Sequence, residues 1–249
     1  MRVKDRKQND DGGFVETVKI IVQALALALI VRTLLFQPFN IPSGSMKDTL
    51  LIGDYLFVSK FSYGYSRYSL PFGPNLFSGR ILASLPERGD IAVFKLPTDP
   101  SIDYIKRVIG LPGDRIQMID GVLHINGEAV KRERIDDYIE VSDYGSERVA
   151  RYRETLPNGV TYDTLDLSPN GSLDNTREYE VPEGHYFMMG DNRDNSTDSR
   201  VLNHVGYVPF ENFVGRAEIL FFSISGDQPA WAFWSWPGSV RWDRLFKTL

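Results

Sequence analysis

The 249-residue sequence contains no cysteine. Thiol catalysis, disulfide cross-links and cysteine-ligated zinc are therefore excluded. The compartment stays open, because a core of this size needs no covalent staples. Histidine is scarce too: His124, His185 and His204 are isolated, and no HExxH spacing occurs. A histidine-built metal site or triad has no motif to rest on, and no cofactor is expected. Basic residues form no long run beyond the N-terminus, and the net charge is -5. That leaves no footprint for nucleic acid. No internal repeat is present, and no long amphipathic helix is evident after residue 50. Aromatic and β-branched residues are spread throughout, which argues against disorder. The length suits one large domain, or one domain with an insertion.

Only one long apolar run exists, Thr17 to Phe36, TVKIIVQALALALIVRTLLF. About twenty residues at 1.5 Å each span a hydrocarbon core of about 30 Å. Lys19 and Arg32 lie near its ends, where long side chains reach the headgroups. Ahead of it, Arg2, Lys4, Arg6 and Lys7 predict a cytoplasmic N-terminus and an extracytoplasmic remainder. The reading is a tail over 1–13, a single-pass signal anchor over 14–36 and a β-rich domain over 37–249. Two alternatives compete. A cleaved signal peptide would use Ala24-Leu25-Ala26, but that site lies inside the apolar run. An interfacial helix would use Glu16, Lys19 and Gln23, which share one face.

Beyond Phe36 the pattern becomes short strands and turns. Residues 55–61, 90–94, 104–109, 186–189 and 213–223 are β-rich. Asp120-Gly121 and Asn126-Gly127 signal two hairpins within 115–127. The fold class expected is mainly β, an antiparallel sheet preceded by one membrane helix. The charged stretch from about 129 to 181 reads as an inserted subdomain on the rim. Trp231, Trp234, Trp236 and Trp242, with Phe233 and Phe246, fit either core or an interfacial belt.

Three segments carry chemistry. Ser43-Gly44-Ser45 follows the anchor at once, and its glycine allows a tight turn and close ligand approach. A serine hydroxyl needs a base to become a nucleophile. Lys106 is a candidate, in a short apolar strand whose alternation puts Tyr104, Lys106 and Val108 on one face. Burial would lower its pKa and free a neutral amine. The competing reading is a strand lysine with its head in water. The third segment, 188–200, is dense in turn-formers and charge. A calcium loop fails there: counting from Asp191, Arg193 holds the third position and no glycine the sixth.

These runs resemble the bacterial type I signal peptidases. The matching blocks are Pro-Ser-Gly-Ser-Met (42–46), Leu-Ile-Gly-Asp (51–54), Arg-Gly-Asp-Ile (88–91), Tyr-Ile-Lys-Arg-Val-Ile-Gly-Leu-Pro-Gly-Asp (104–114), Gly-Asp-Asn-Arg-Asp-Asn-Ser (190–196) and Asp-Ser-Arg (198–200), in family order. The resemblance implies a Ser/Lys serine endopeptidase that acts on the signal peptides of exported preproteins at the bilayer of the bacterial inner membrane. It implies Ser45 as nucleophile, Lys106 as general base and Ser196 as the residue orienting the amine. The Ser45 N–H and Ser43 hydroxyl would form the oxyanion hole, with Tyr104 walling the lysine from water. Asp191, Arg193, Asp198 and Arg200 would be an ion-pair and turn framework. Cleavage would follow small residues in an Ala-x-Ala pattern. Ile41, Pro42, Met46, Leu50, Tyr104 and Ile105 would line the pocket before the cut. Phe39, Leu56, Val93 and Asp103 would shape the pocket two residues further back.

Departures from the family pattern are Asp48 in place of proline, Thr197 at a pocket position usually smaller, and a slightly longer loop from Arg200 to Gly206. Many relatives have a second spanning helix, for which this sequence shows no second apolar run. Three other functions remain in play: a specialised Ser/Lys peptidase maturing a pilus or conjugation subunit, a self-cleaving repressor, and a non-catalytic tethered β domain. The anchor and the lack of a DNA-binding segment disfavour the repressor.

Overall fold

The computed structural model of the protein describes residues 11–142, 145–225 and 233–249. Helix α1 (Asp11–Leu34) projects its apolar side chains outward, Phe14, Ile20, Leu25 and Leu29 among them. Its segment Gly13–Leu34, 22 residues with mean hydropathy 2.1, is the one helix among the described residues long and apolar enough to cross a membrane. Its polar face, Glu16, Lys19 and Gln23, is confined to the first turns, and apolar residues continue that side to Leu34, unlike the full-length polar face of an interfacial helix. Leu35 alone separates α1 from the first strand. The Lys60 N–H donates to the Leu35 carbonyl at 2.9 Å and the Tyr65 hydroxyl to the Leu34 carbonyl at 2.8 Å, tying the helix end to the domain. Arg2, Lys4, Arg6 and Lys7 lie outside the described residues.

The rest is mainly antiparallel β, as the sequence predicts. In chain order the strands are β1 (Phe36–Asn40), β2 (Asp54–Ser59), β3 (Ile91–Leu96), β4 (Asp99–Gly110), β5 (Arg115–Ile119), β6 (Val122–Ile125), β7 (Glu128–Ala129), β8 (Lys131–Arg134), β9 (Tyr138–Ser142), β10 (Gly145–Thr155), β11 (Thr161–Asp166), β12 (Tyr179–Glu180), β13 (His185–Met189), β14 (Val208–Pro209) and β15 (Phe213–Ser223). The main sheet runs β1-β2-β15-β3-β4-β13-β14; a second joins β11-β10-β8, with β9 also on β10; a third runs β12-β5-β6-β7. Both hairpin signals work as read. Asp120 and Gly121 have φ of 47° and 74°, and Asn126 and Gly127 have 56° and 85°. Two consecutive positive φ angles give the turn whose twist matches the flanking strands.

Strand β4 positions the site. From Lys106 to Gly110 it is buried on both faces. Ile105 packs with Ile41, Met46, Leu50, Leu56 and Val93 on one side. Tyr104 and Val108 pack with Phe94 and Met188 on another, and Ile109 joins the core of the third sheet. A lysine at 106 therefore has no solvent face to occupy, and it is 4% exposed.

The stretch 129–181 is not one unit. Ala129 and Tyr179–Glu180 belong to the third sheet, and only residues from Lys131 to Asp166 form the second. Nor is that sheet merely a rim. The Leu165 N–H donates to the Asp191 carbonyl at 2.9 Å, and the Arg193 N–H to the Leu165 carbonyl at 3.0 Å. Of the C-terminal aromatics, Trp234 and Trp242 are exposed at 64% and 60%, against a core reading, whereas Trp236 packs on Phe222. Trp231 lies outside the described residues.

Candidate active site

Ser45 follows β1 in a tight turn anchored by the buried side chains of Met46 and Leu50. Asn192 holds that turn at two points: its N–H donates to the Ser45 carbonyl at 3.1 Å and its Nδ2 to the Gly44 carbonyl at 3.0 Å. The approach needs Gly190, since a Cβ there would fall 2.5 Å from the Ser45 carbonyl oxygen and 2.2 Å from Ser196 Oγ. Only glycine leaves that space free.

Across 61 residues of sequence, Lys106 Nζ lies 2.8 Å from Ser45 Oγ. Nζ also donates to the Ile105 carbonyl at 2.9 Å and lies 5.1 Å from the centroid of the Tyr104 ring. Desolvation lowers the amine from the ordinary 10.5 to about 8, against the weaker opposing pull of Asp198 and Asp191. Both carboxylates are already engaged. Arg107 grips Asp191 at 2.9 and 2.6 Å, and Arg200 grips Asp198 at 2.8 Å through two nitrogens. Their charges are neutralised in place, so burial dominates at the lysine.

Ser43 is exposed, and its Oγ lies 3.4 Å from Ser45 Oγ. The Ser45 N–H makes no hydrogen bond among the described residues. Ser43 Oγ and this N–H thus lie on one turn beside the Ser45 hydroxyl. Ser196 departs from expectation. Its hydroxyl donates to Asp198 at 2.8 Å, not to the lysine. Burial would raise the Asp198 carboxyl, but Arg200, the Gly190 N–H and Ser196 hold it below its ordinary value. An anionic carboxylate is the stronger acceptor, so it captures the serine proton.

The residues expected to line two pockets share one apolar cluster. Ile41, Met46, Leu50, Leu56 and Val93 are buried together, with Phe39 and Ile105 partly exposed against them. Pro42 is exposed beside it. Tyr104 lies on the other face of β4, near the lysine, and its hydroxyl pairs with His204 Nε2 at 2.9 Å. Asp103 is exposed and paired with Lys95 at 2.9 Å. Thr197 is exposed too.

Several motif residues hold the frame. Arg88 bridges to Asp114 at 2.8 Å, joining two of the sequence blocks. Asp54 receives Ser223 Oγ at 2.6 Å and two nitrogens of Arg244 at 3.1 and 2.5 Å. Arg193 reaches Glu154 of β10 at 2.9 and 2.6 Å, and Tyr162 donates to the same carboxylate at 2.8 Å. Asp48, in the proline position, lies 3.0 Å from Arg151 Nε, and its neighbour Lys47 pairs with Glu140. Sequence reasoning missed the clamp by Asn192, although that residue lay within a quoted block. It also missed Glu154, which carried no local signal at all. Among the described residues, no group of three or more His, Asp or Glu is placed to hold a metal.

Comparison with known proteins bears on this arrangement. The family model described as signal peptidase, peptidase S26, matches residues 14–222. Signal peptidase I of Rickettsia typhi (strain ATCC VR-144 / Wilmington) is 45% identical over 247 residues, covering 90% of each chain. The signal peptidase I of Rickettsia massiliae (strain Mtu5) is 44% identical over 271 residues, covering 100% of this chain and 98% of the relative. A crystal structure of a signal peptidase I from Enterococcus faecalis V583 is 29% identical, covers 53% of this chain and 97% of that one, and aligns with a TM-score of 0.31. With the family model spanning most of its length and relatives aligned nearly end to end, this chain belongs to the S26 signal peptidase family and is a signal-peptide-cleaving hydrolase.

Proposed function

We propose that the protein is a membrane-anchored serine endopeptidase in which Ser45 attacks and Lys106 serves as general base. The observation that carries this is a buried amine 2.8 Å from a serine hydroxyl. In its neutral form Lys106 Nζ accepts the Ser45 proton while Oγ attacks the scissile carbonyl. The resulting ammonium then protonates the leaving amine, and water hydrolyses the acyl-enzyme by the same exchange. The Ser45 N–H and the Ser43 hydroxyl stabilise the oxyanion, a kind of contact whose loss costs about 3–4 kcal/mol. Ser196 acts on the amine at one remove, by holding Asp198. The apolar cluster beside Ser45 offers small residues an apolar contact, in keeping with an Ala-x-Ala preference.

Helix α1 crosses the bilayer of a bacterial inner membrane, with the basic tail inside and the catalytic domain outside. Nine residues from Phe36 to Ser45 reach at most about 30 Å, so the site stays near the surface where a signal peptide presents its cut. The deciding assay is cleavage of a purified preprotein in detergent. Ser45→Ala and Lys106→Ala are each expected to lose about 10³-fold or more, because the two groups act as a unit. Substantial turnover by Ser45→Ala would refute the assignment.

A further inference from the structure

Where α1 meets the main sheet, a cavity of about 700 Å³ opens, distinct from the Ser45 turn. Four cations line it: Arg32 from the last turn of α1, Lys60 just after β2, Arg67, and Lys95. Its one acidic side chain, Asp103, is occupied by Lys95. Arg32, Lys60 and Arg67 make no ion pair among the described residues.

Two of these cations are poorly satisfied. Lys60 is 2% exposed, and Nζ has one hydrogen bond among the described residues, to the Ser69 carbonyl at 2.7 Å. Desolvation and the neighbouring Arg32 lower its amine to about 8. The Arg67 guanidinium lies 4.6 Å from the centroid of the Tyr68 ring, and its buried Nε has no hydrogen-bond partner among the described residues. Burying positive charge without a counter-ion is costly, and an anion in the cavity would relieve both at once.

The position of the cavity says which anion. Arg32 and Thr33 end the apolar helix, the level at which a spanning segment enters the headgroups. At the rim, Phe72 is wholly exposed, and in the segment beyond it Leu76, Leu82 and Leu85 are 74%, 79% and 68% exposed. Basic side chains beside protruding apolar ones are the pattern of a surface seated on lipid. The signal peptide itself is a poor occupant, because its charged end is basic.

We propose that this cavity binds the phosphate of an anionic membrane lipid, with Lys60, Arg67 and Arg32 on the headgroup and Phe72 and Leu76 among the acyl chains. A lipid held here would seat the bilayer against Asp103, three residues before Lys106 on β4. The inference rests on α1 as a membrane helix, but its test needs neither membrane nor turnover, so its failure would leave the peptidase assignment untouched.

The full-length protein in neutral detergent is titrated with dioctanoyl phosphatidylglycerol, with dioctanoyl phosphatidylcholine and with inorganic phosphate, and the thermal midpoint is followed. A saturable rise is expected with phosphatidylglycerol, at concentrations at least tenfold lower than with either control. Arg67→Gln and Lys60→Met should each weaken that response about tenfold, as expected for a lost charge-assisted bond. Phe72→Ser should weaken the lipid response and leave the phosphate response unchanged. Equal responses to the two lipids, an unaltered response in the double variant Lys60→Met/Arg67→Gln, or saturation by inorganic phosphate at the same concentrations would overturn the proposal.

Discussion

Replacing Lys106 with methionine is expected to abolish turnover and, near neutral pH, to stabilise the fold. The buried amine releases its proton near 8 in the folded protein, against 10.5 when solvated. At about 1.4 kcal/mol for each tenfold change in proton affinity, the ammonium costs the native state about 3 kcal/mol. Below pH 8 both folded and unfolded chains carry the proton, so this cost is present in full. Between 8 and 10.5 the unfolded chain binds a proton that the folded chain does not, so wild-type stability rises with pH. Above 10.5 both are neutral and the cost is gone. Methionine has a similar reach and no charge, but it forfeits the hydrogen bonds to Ser45 and to the Ile105 carbonyl, each worth about 1 kcal/mol. The net gain is about 1 kcal/mol at pH 7, reversing by pH 10. Denaturant unfolding of both full-length proteins in detergent at pH 6.5, 8 and 10 measures it. A variant less stable than wild type at pH 7, or a difference that does not change with pH, would refute the claim that the amine is desolvated.

Turnover itself should follow the same titration. Since only the neutral amine accepts the Ser45 proton, kcat/KM should fall about tenfold per pH unit below about 8 and level off above it; a flat profile from pH 6 to 10 would contradict a lysine base. Arg151→Gln should lower kcat with little change in unfolding midpoint, because it frees Asp48 in the turn carrying Ser45. In an Asp48→Pro background, which stiffens that turn independently, the same substitution should have no effect on kcat. Glu154→Ala should destabilise the protein by about 3–5 kcal/mol in thermal or urea unfolding, since it strands a buried guanidinium, and Glu154→Ala/Arg193→Leu should recover much of that loss.

The fold was legible wherever its cause was local. Helix α1 follows from a long apolar run, the two hairpins from Asp-Gly and Asn-Gly pairs that tolerate positive φ, and β15 from the β-rich run of 213–223. The meeting of Ser45 with Lys106 was reachable only through resemblance, because a separation of 61 residues leaves no periodic trace of it. The same reason hid the ion pairs. Arg107 meets Asp191 across 84 residues and Glu154 meets Arg193 across 39, and charge composition alone cannot match partners. Reading 129–181 as a peripheral insertion went astray there: its charges suggested solvent, yet Glu154 is fully buried. Ser196 illustrates a finer limit. Its position was read from sequence, but the destination of its proton depends on a carboxylate two residues away.

The Glu154–Arg193 pair bears on how far this protein can be pared down. Arg193 lies on the same loop as Ser196 and Asp198, and its counter-charge is on loan from β10. Excising the second sheet to obtain a compact catalytic fragment would orphan a cation inside the very segment that braces the reactive pair. A miniaturised version would have to swap that arginine for a hydrocarbon side chain and reseal the exposed flank. The sheet is thus a keystone, and shortening its strands is a riskier edit than its surface charge suggests.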